Sequence, residues 1–298
     1  MENNYTRFNK NEWDFLIVLD ACRFDFFSHF YKYFFDGKLS EVYSLGSHTR
    51  EWVKNTFRDY YEDVVYISSN ALINSISSIT GFDARKHFYK VVDVWRFGWN
   101  EKLGTVHPGT VNIVALSLKD KYPNNRFILH YLQPHDPYIS KNFYCNEYSR
   151  PVWKIGPTHA RWYIRILNKF AKVVRMGPES LYYLKLRELL HLAPISPLDA
   201  TRRKFGINGL RQAYAENLRI VLSYVASLVP KLTGNVIITS DHGDFLGEYK
   251  KYGHPIGCYN PILRNVPWFK VTGVKSISIA LANQNSSKDS LDLRIPIK

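Results

Sequence analysis

The chain has 298 residues, of which 45% are hydrophobic and 15% aromatic, and it carries a formal net charge of +14. A chain of this size and composition is long enough to bury a globular core. The three cysteines, Cys22, Cys145 and Cys258, form no CxxC pair, which argues against a disulfide framework and favours a reduced, intracellular setting. The first residues show no apolar signal region, and no apolar run could span a membrane, so we expect a cytoplasmic protein.

Uninterrupted apolar runs predict the strands of an α/β fold. Runs of this kind suit strands that are buried on both faces, as in a parallel sheet. They cover 14–20, 64–67, 127–131 and 236–238. The segment 266–271 predicts a fifth strand near an edge of the sheet, because Pro267 cannot donate a backbone hydrogen bond. Helical patterns at 49–57 and 212–228 complete the expectation of a mostly parallel central sheet with helices on both faces.

One segment carries most of the positive charge. Residues 141–211 hold fourteen Lys and Arg against four acids, and we interpret them as a basic helical insertion in a single domain over 1–298, with a peripheral tail from about 280. Within the insertion, 159–175 predicts a helix whose basic side is either a solvated face or a surface for acidic lipid or another polyanion. Such a contact would make the protein peripheral to the inner membrane face. No nucleic-acid fold signature is present, so we expect no sequence-specific nucleic-acid binding. The stretch 194–204 predicts an exposed loop.

Three of the predicted strands end in residues that can bind a metal or transfer a proton. Asp20 ends the first run, His130 lies in the third, and Asp241 and His242 follow the fourth. In an open α/β sheet the carboxyl ends of the strands meet at one crevice, so residues distant in sequence come together there. Asp20, Asp241 and His242 would form a site for zinc, manganese or a related divalent ion, and His254 could add a ligand or a substrate contact. The alternative for two polar residues after a strand is a plain turn.

A hydroxyl at the start of a helix is the candidate nucleophile. Thr49 stands at the beginning of the predicted helix 49–57, and Ser47 lies just before it. There a metal ion can favour loss of the hydroxyl proton, while the helix dipole favours an incoming anion. The alternative for Thr49 is an ordinary helix-capping residue.

Taken together, these segments resemble the alkaline phosphatase superfamily, in its sulfatase-like or phosphodiesterase-like branch. The first metal-ligand motif of that branch resembles Asp20-Ala-Cys-Arg-Phe-Asp25, and its nucleophile segment resembles His48-Thr49. Its His-x-Pro segment is similar to Pro134-His135-Asp136-Pro137-Tyr138. The C-terminal metal block is similar to Ser240-Asp241-His242-Gly243-Asp244, followed by Gly253-His254-Pro255. The likeness runs in order from about residue 13 to 271 and implies an alkaline phosphatase-like fold.

The resemblance implies a metal-dependent hydrolase or transferase that acts on phosphate esters, either diesters or monoesters. Thr49 or Ser47 would attack phosphorus, and His135 would protonate the leaving oxygen. Arg23 and Arg50 would contact the anionic ester substrate, although Arg23 could instead pair with a neighbouring carboxylate. One or two divalent ions, zinc or manganese before calcium or magnesium, would be held by Asp20, Asp241, His242 and His254.

Two alternative functions fit the same residues. The chain has no Cys-x-Pro-Ser-Arg, the site that becomes formylglycine in most sulfatases, and Cys22 does not fit that motif. A sulfuric ester hydrolase on this scaffold would therefore have to use an unmodified hydroxyl. The second alternative is a non-catalytic protein that binds a polyanion through its basic segment.

Overall fold

A seven-stranded sheet forms the centre of the protein in the computed structural model, which describes residues 12–78, 81–145 and 177–275. Its strands in chain order are β1 (Phe15–Leu19), β2 (Phe35–Tyr43), β3 (Tyr61–Ser68), β4 (Phe88–Asp93), β7 (Arg126–Tyr131), β8 (Val236–Thr239) and β11 (Asn265–Val274). Two short strand pairs lie outside this sheet and consist of β5 (Trp99–Asn100) with β6 (Thr105–Val106), and β9 (Phe245–Leu246) with β10 (Tyr252–Gly253).

The strand order is β2-β11-β8-β1-β7-β3-β4. The five strands from β8 to β4 are parallel, whereas β11 runs antiparallel to both of its neighbours. β1 lies between β8 and β7, and Phe15 is paired with Val236 on one side and Phe127 on the other. The expected α/β class with a mostly parallel central sheet is confirmed.

Helices cover both faces of the sheet, as the sequence predicts. They are α1 (Phe24–Phe30), α2 (Thr49–Thr56), α3 (Val94–Phe97), α4 (Pro108–Lys121), α5 (Leu181–Leu189), α6 (Pro197–Leu228) and α7 (Pro261–Arg264). Side chains alternate along β1, so that Ile17 joins the core beneath α1, α4 and α6 while Leu16 joins a second core with Trp52 of α2. No helix in the described ranges combines the length and the apolar character needed to cross a membrane.

Two of the predicted elements differ from the structure in extent or type. The strand expected at 266–271 is longer and lies one position in from the edge, with Pro267 opposite Glu41 of β2. The loop expected at 194–204 is wrong, because Ser196 caps α6 by accepting a hydrogen bond from the Asp199 amide, and the helix begins at Pro197. The predicted helix at 159–175 and the tail from about 280 lie outside the described residues.

Candidate active site

The carboxyl ends of three adjacent strands bring together the acidic and imidazole groups that the sequence singles out. Asp20 follows β1, His130 lies near the end of β7, and Asp241 and His242 follow β8. All four residues are at most 1% exposed. Potential ligand atoms of Asp20, His130 and Asp241 lie within 4.8 Å of one another. The sheet order therefore creates a buried cluster of the kind that can hold a divalent ion.

Asp241 and His242 are held in place by backbone contacts. Asp241 Oδ1 accepts hydrogen bonds from the amides of Ala21 at 3.0 Å and His242 at 2.9 Å. His242 Nδ1 lies 2.9 Å from the carbonyl oxygen of Gly243, which can only accept, so this nitrogen carries the proton. The lone pair of the neutral ring is then on Nε2, which lies 3.3 Å from Asp241 Oδ2 and 3.8 Å from Asp20 Oδ1. This is the tautomer that a metal-binding histidine needs.

Two buried carboxylates share this small space. Burial raises the pKa of Asp241, and the negative charge of Asp20 raises it further. Burial also acts to raise the pKa of Asp20. The contact with His130 and the charge of His135 outweigh this effect, so the pKa of Asp20 is lowered. Adjacent buried carboxylates repel each other unless a positive charge lies between them. Their oxygens and the His242 lone pair form a donor set that fits a divalent cation.

Thr49 lies directly on this cluster. Its hydroxyl donates a 2.7 Å hydrogen bond to Asp241 Oδ2 and lies 3.3 Å from His242 Nε2. The N-cap of α2 is His48, whose Nδ1 accepts from the Arg50 amide, and Thr49 is the first helical residue. The capping alternative for Thr49 therefore does not describe its position, because its hydroxyl points at carboxylate and imidazole groups rather than at backbone amides.

Ser47 occupies a different environment from Thr49. Its hydroxyl lies 2.8 Å from the carbonyl oxygen of Pro255 and 3.1 Å from Glu51 Oε2, and it accepts from the Cys258 amide. These contacts tie the start of α2 to the loop after β10. Of the two candidate nucleophiles, the structure brings only Thr49 to the acidic cluster. Its chemical role stays a prediction.

Two further histidines face the cluster, each supported by an aspartate. His135 Nδ1 lies 2.9 Å from Asp136 Oδ1, and His254 Nδ1 lies 3.0 Å from Asp244 Oδ1. The ring centroids of His135 and His254 are 5.0 Å apart, and the His254 ring is 4.3 Å from that of His242. His135 Nδ1 also lies 2.6 Å from the carbonyl oxygen of Asp136. With Nδ1 engaged by aspartate oxygens, each ring can offer Nε2 to a second ion or to a substrate oxygen. Burial acts to lower the pKa of His135, but the charge of Asp136 outweighs it and raises that pKa.

The two predicted substrate-binding arginines lie in contrasting environments. The Arg23 guanidinium donates to both oxygens of Asp25 at 2.9 and 2.7 Å and to Glu248 at 2.8 Å, and it is almost fully buried. It also donates to the carbonyl oxygen of Asp244 at 3.3 Å. These hydrogen bonds are made within the protein, mostly to carboxylates, which matches the alternative role considered for Arg23. Arg50 is exposed in the first turn of α2, next to Thr49. Binding of substrate by either arginine stays a prediction.

Sequence reasoning missed Asn70 and the positions of His48 and Asp244. Asn70 follows β3, and its Nδ2 donates to Asp20 Oδ2 at 2.6 Å and lies 3.5 Å from the Thr49 hydroxyl. The polar run Ser68-Ser69-Asn70 at the carboxyl end of a buried strand is the signal that could have found it. The His48 ring is 5.0 Å from that of His254. Asp244 Oδ2 is buried and has no hydrogen-bond partner among the described residues.

Comparison with known proteins shows similarity only among solved structures. No protein-family model matches the sequence, and no curated protein matches it. The soluble domain of lipooligosaccharide phosphoethanolamine transferase A from Neisseria meningitidis is 16% identical with a TM-score of 0.46, over 86% of this chain and 75% of that one. The zinc complex of the periplasmic domain of EcEptC from Escherichia coli is 12% identical with a TM-score of 0.46, over 87% and 72%.

A third similar structure is a 2-O GAG sulfatase, 12% identical with a TM-score of 0.46, over 86% of this chain and 63% of that one. These neighbours are members of the alkaline phosphatase superfamily, which is the superfamily that the motifs of this sequence resemble. At such identities and TM-scores the likeness concerns no more than the arrangement of the chain, so chemistry has to be argued from the residues. Fold and site together define an α/β protein with a buried, metal-competent Asp–His cluster beside a helix-start hydroxyl.

Proposed function

We propose that this chain is a metal-dependent phosphoesterase or phosphotransferase of the alkaline phosphatase superfamily, in its sulfatase-like branch, with Thr49 as nucleophile. One observation carries the proposal. The Thr49 hydroxyl lies 2.7 Å from Asp241 and 3.3 Å from His242, at the first residue of α2. A hydroxyl placed among metal-binding groups at a helix start has little structural purpose and is well suited to attack an anionic ester.

The residues that would hold a first ion are Asp20, Asp241 and His242. When bound, a divalent ion such as zinc or manganese supplies positive charge that stabilises the phosphoryl oxygens and favours ionisation of a nearby hydroxyl. The Asp241 carboxylate orients the Thr49 hydroxyl through its hydrogen bond and would accept the hydroxyl proton when the oxygen attacks phosphorus. The amide of Asn70 steadies Asp20 and approaches the same hydroxyl. His254, supported by Asp244, would contact a second ion or a substrate oxygen.

Departure of the leaving group requires a proton donor on the side of phosphorus opposite to the attacking Thr49 oxygen. His135 is suited to this role because Asp136 accepts the Nδ1 proton and leaves Nε2 available for proton transfer. The covalent phosphothreonine formed by attack would then be released by water in a hydrolase or by an acceptor alcohol in a transferase. The geometry is compatible with both outcomes.

The proposed function is tested by elemental analysis of the purified protein together with a panel of aryl phosphomonoester, phosphodiester and sulfate substrates. We expect a bound divalent metal and turnover of a phosphate ester. Asp241→Asn should lose both. The matched control Asp63→Asn should keep both. Asp63 lies near the amino end of β3, away from the carboxyl strand ends that form the site, and it is paired with Arg126.

Each alternative predicts a different pattern in that panel. Turnover confined to the sulfate ester would identify a sulfuric ester hydrolase that uses an unmodified hydroxyl. Absence of metal and of all turnover, with polyanion binding that survives Asp241→Asn, would identify a non-catalytic binding protein. The cytoplasmic location and a contact of 159–175 with acidic lipid or another polyanion stay predictions, which fractionation and binding to vesicles with and without acidic lipid would test.

A further inference from the structure

Behind the proposed metal ligands lies a buried hydrogen-bonded pair, Tyr66 and His130. Both residues are 0% exposed. Tyr66 is paired in register with Ile128, so His130, two residues further along β7, projects from the same face of the sheet. The Tyr66 hydroxyl lies 2.8 Å from His130 Nδ1. The other ring nitrogen, Nε2, lies 3.4 Å from Asp20 Oδ2 and 4.0 Å from Asp241 Oδ2.

The tyrosine hydroxyl decides which nitrogen of His130 carries the proton. A buried hydroxyl has one proton to donate, and His130 Nδ1 is its only hydrogen-bond partner in the described part of the chain. Tyr66 therefore donates to Nδ1, which must accept. The proton of the neutral ring is then on Nε2, the atom that faces the two carboxylates. His130 Nε2 lies near these carboxylates but has no hydrogen-bond partner among the described residues.

We propose that Tyr66 and His130 form a donor relay, in which Tyr66 donates to His130 Nδ1 and the Nε2–H of His130 faces Asp20 and Asp241. The relay positions the two carboxylates, so that His130 is a positioning residue and not a metal ligand. The proposal rests on the proposed function, because it assumes that the two carboxylates bind the ion. The Nε2–H group lies 3.4 and 4.0 Å from the two Oδ2 atoms, so its positive end offsets part of their repulsion. It thereby holds the carboxylates together before an ion arrives.

A competing arrangement would make His130 a ligand. The ligand atoms of Asp20, His130 and Asp241 lie close enough for one ion. Binding through Nε2 would require the lone pair on that nitrogen and the proton on Nδ1. The Tyr66 hydroxyl would then have to accept from Nδ1, and its own proton would have no partner. The ligand and relay roles thus predict opposite tautomers of one ring.

The tautomer can be read from the nitrogen chemical shifts of His130 in ¹⁵N-histidine-labelled protein, before and after addition of zinc or cadmium. His130→Gln assigns the signals. The relay predicts a protonated Nε2 in both states. A proton on Nδ1, or coupling of Nε2 to bound ¹¹³Cd, would overturn the proposal. The chemical-shift measurement needs no substrate, and its metal-free sample needs no ion. It therefore determines the tautomer of His130 even if the protein binds no ion and the proposed function fails.

Zinc affinity, measured by competition with a chelating dye, gives a second test. Tyr66→Phe removes the hydroxyl that fixes the tautomer of the His130 ring. We therefore expect about 10- to 100-fold weaker zinc binding in this variant. His130→Gln keeps an N–H donor at a similar reach and should lose less affinity than Tyr66→Phe. The matched control is Tyr131→Phe, since the Tyr131 hydroxyl is equally buried in β7 but donates to Asn112, away from the carboxylates.

Two outcomes of the affinity series contradict the relay. If Tyr66→Phe binds zinc as tightly as Tyr131→Phe, the tyrosine has no part in positioning the ligands. If His130→Gln loses far more affinity than Tyr66→Phe, the histidine acts as a ligand. If the buried His130→Gln substitution prevents folding, the comparison of the two tyrosine variants decides the matter.

Discussion

The hydroxyl of Thr49 and the carboxylate of Asp241 meet in a 2.7 Å hydrogen bond across 192 residues of sequence. The bond joins the first residue of α2 to the loop that follows β8. It places the proposed nucleophile against a carboxylate that also faces Asp20 and His130. The proposed function and most of its tests depend on this contact.

Removal of the Thr49 hydroxyl should abolish turnover. We expect Thr49→Ala to lower kcat by about 1,000-fold or more, because no other hydroxyl reaches Asp241 Oδ2 among the described residues. Thr49→Ser keeps the hydroxyl and should recover a substantial part of the rate. Initial rates on an aryl phosphate ester provide the measurement.

The matched control for this prediction is Ser47→Ala. Ser47 is as deeply buried as Thr49 but bonds the loop after β10 instead of the acidic cluster. Its loss should reduce the free energy of unfolding by about 1 kcal/mol and change kcat far less than Thr49→Ala does. Equal losses of activity in the two alanine variants would show that Thr49 is not the nucleophile.

The Asn70 amide should support Asp20, the proposed metal ligand. We expect Asn70→Ala to weaken metal binding or activity by about 10- to 100-fold, since it removes the 2.6 Å hydrogen bond to Asp20 Oδ2. Asn112→Ala is a suitable control, because Asn112 is similarly buried and bonds the Tyr224 carbonyl instead. Zinc titration and initial rates of both variants would check the prediction, and an unchanged Asn70→Ala protein would refute it.

The apolar strands and the order of the acidic motifs could be predicted from the sequence, but the supporting contacts could not. β1 and β8 are uninterrupted apolar runs, and this pattern suits strands buried on both faces. β2 was missed because it is an edge strand whose charged residues are exposed. Its sequence therefore shows no continuous apolar run and no regular alternation of apolar and polar residues. Tyr66 carries no motif, and Asn70 is marked only by the polar run that ends β3. Their roles depend on which strands are neighbours, and strand order is a property of the whole fold.

Metal binding should stabilise the folded protein. At a free zinc concentration one hundred times the dissociation constant, binding to the native state alone adds about 2.7 kcal/mol to the free energy of unfolding. Thermal unfolding should therefore shift upwards with zinc and downwards with a chelator. Asp241→Asn should lack the shift, and Asp63→Asn should retain it. A shift of equal size in Asp241→Asn would place the ion elsewhere.

The pairing of Glu248 with Arg23 predicts a loss of stability in acid. Burial acts to raise the pKa of Glu248, but the charge and hydrogen bond of Arg23 outweigh it, so the pKa lies below its usual value of 4.5. A carboxyl of this kind stabilises the protein above its unfolded-state pKa, and the contribution disappears as the pH falls through the folded-state pKa. Glu248→Gln should therefore be less stable than wild type at pH 7, and the difference should shrink below pH 4.5.

Chemical denaturation at a series of pH values measures that difference. Glu62→Gln, on the exposed surface of β3, should follow the wild type throughout and serves as the control. A difference that grows towards acid pH would have the wrong sign for a lowered carboxyl pKa and would contradict the ion-pair account.

The most direct test of the central claim is to trap the covalent intermediate. The protein would be mixed with a phosphate ester and its metal, quenched in acid, and digested for mass spectrometry of the peptide that contains Thr49. The account predicts a phosphoryl group, or a substituted phosphoryl group, on Thr49 in the wild type and none in Asp241→Asn. Turnover of the ester with modification at Ser47, or with no modified residue in the 44–57 region, would contradict it.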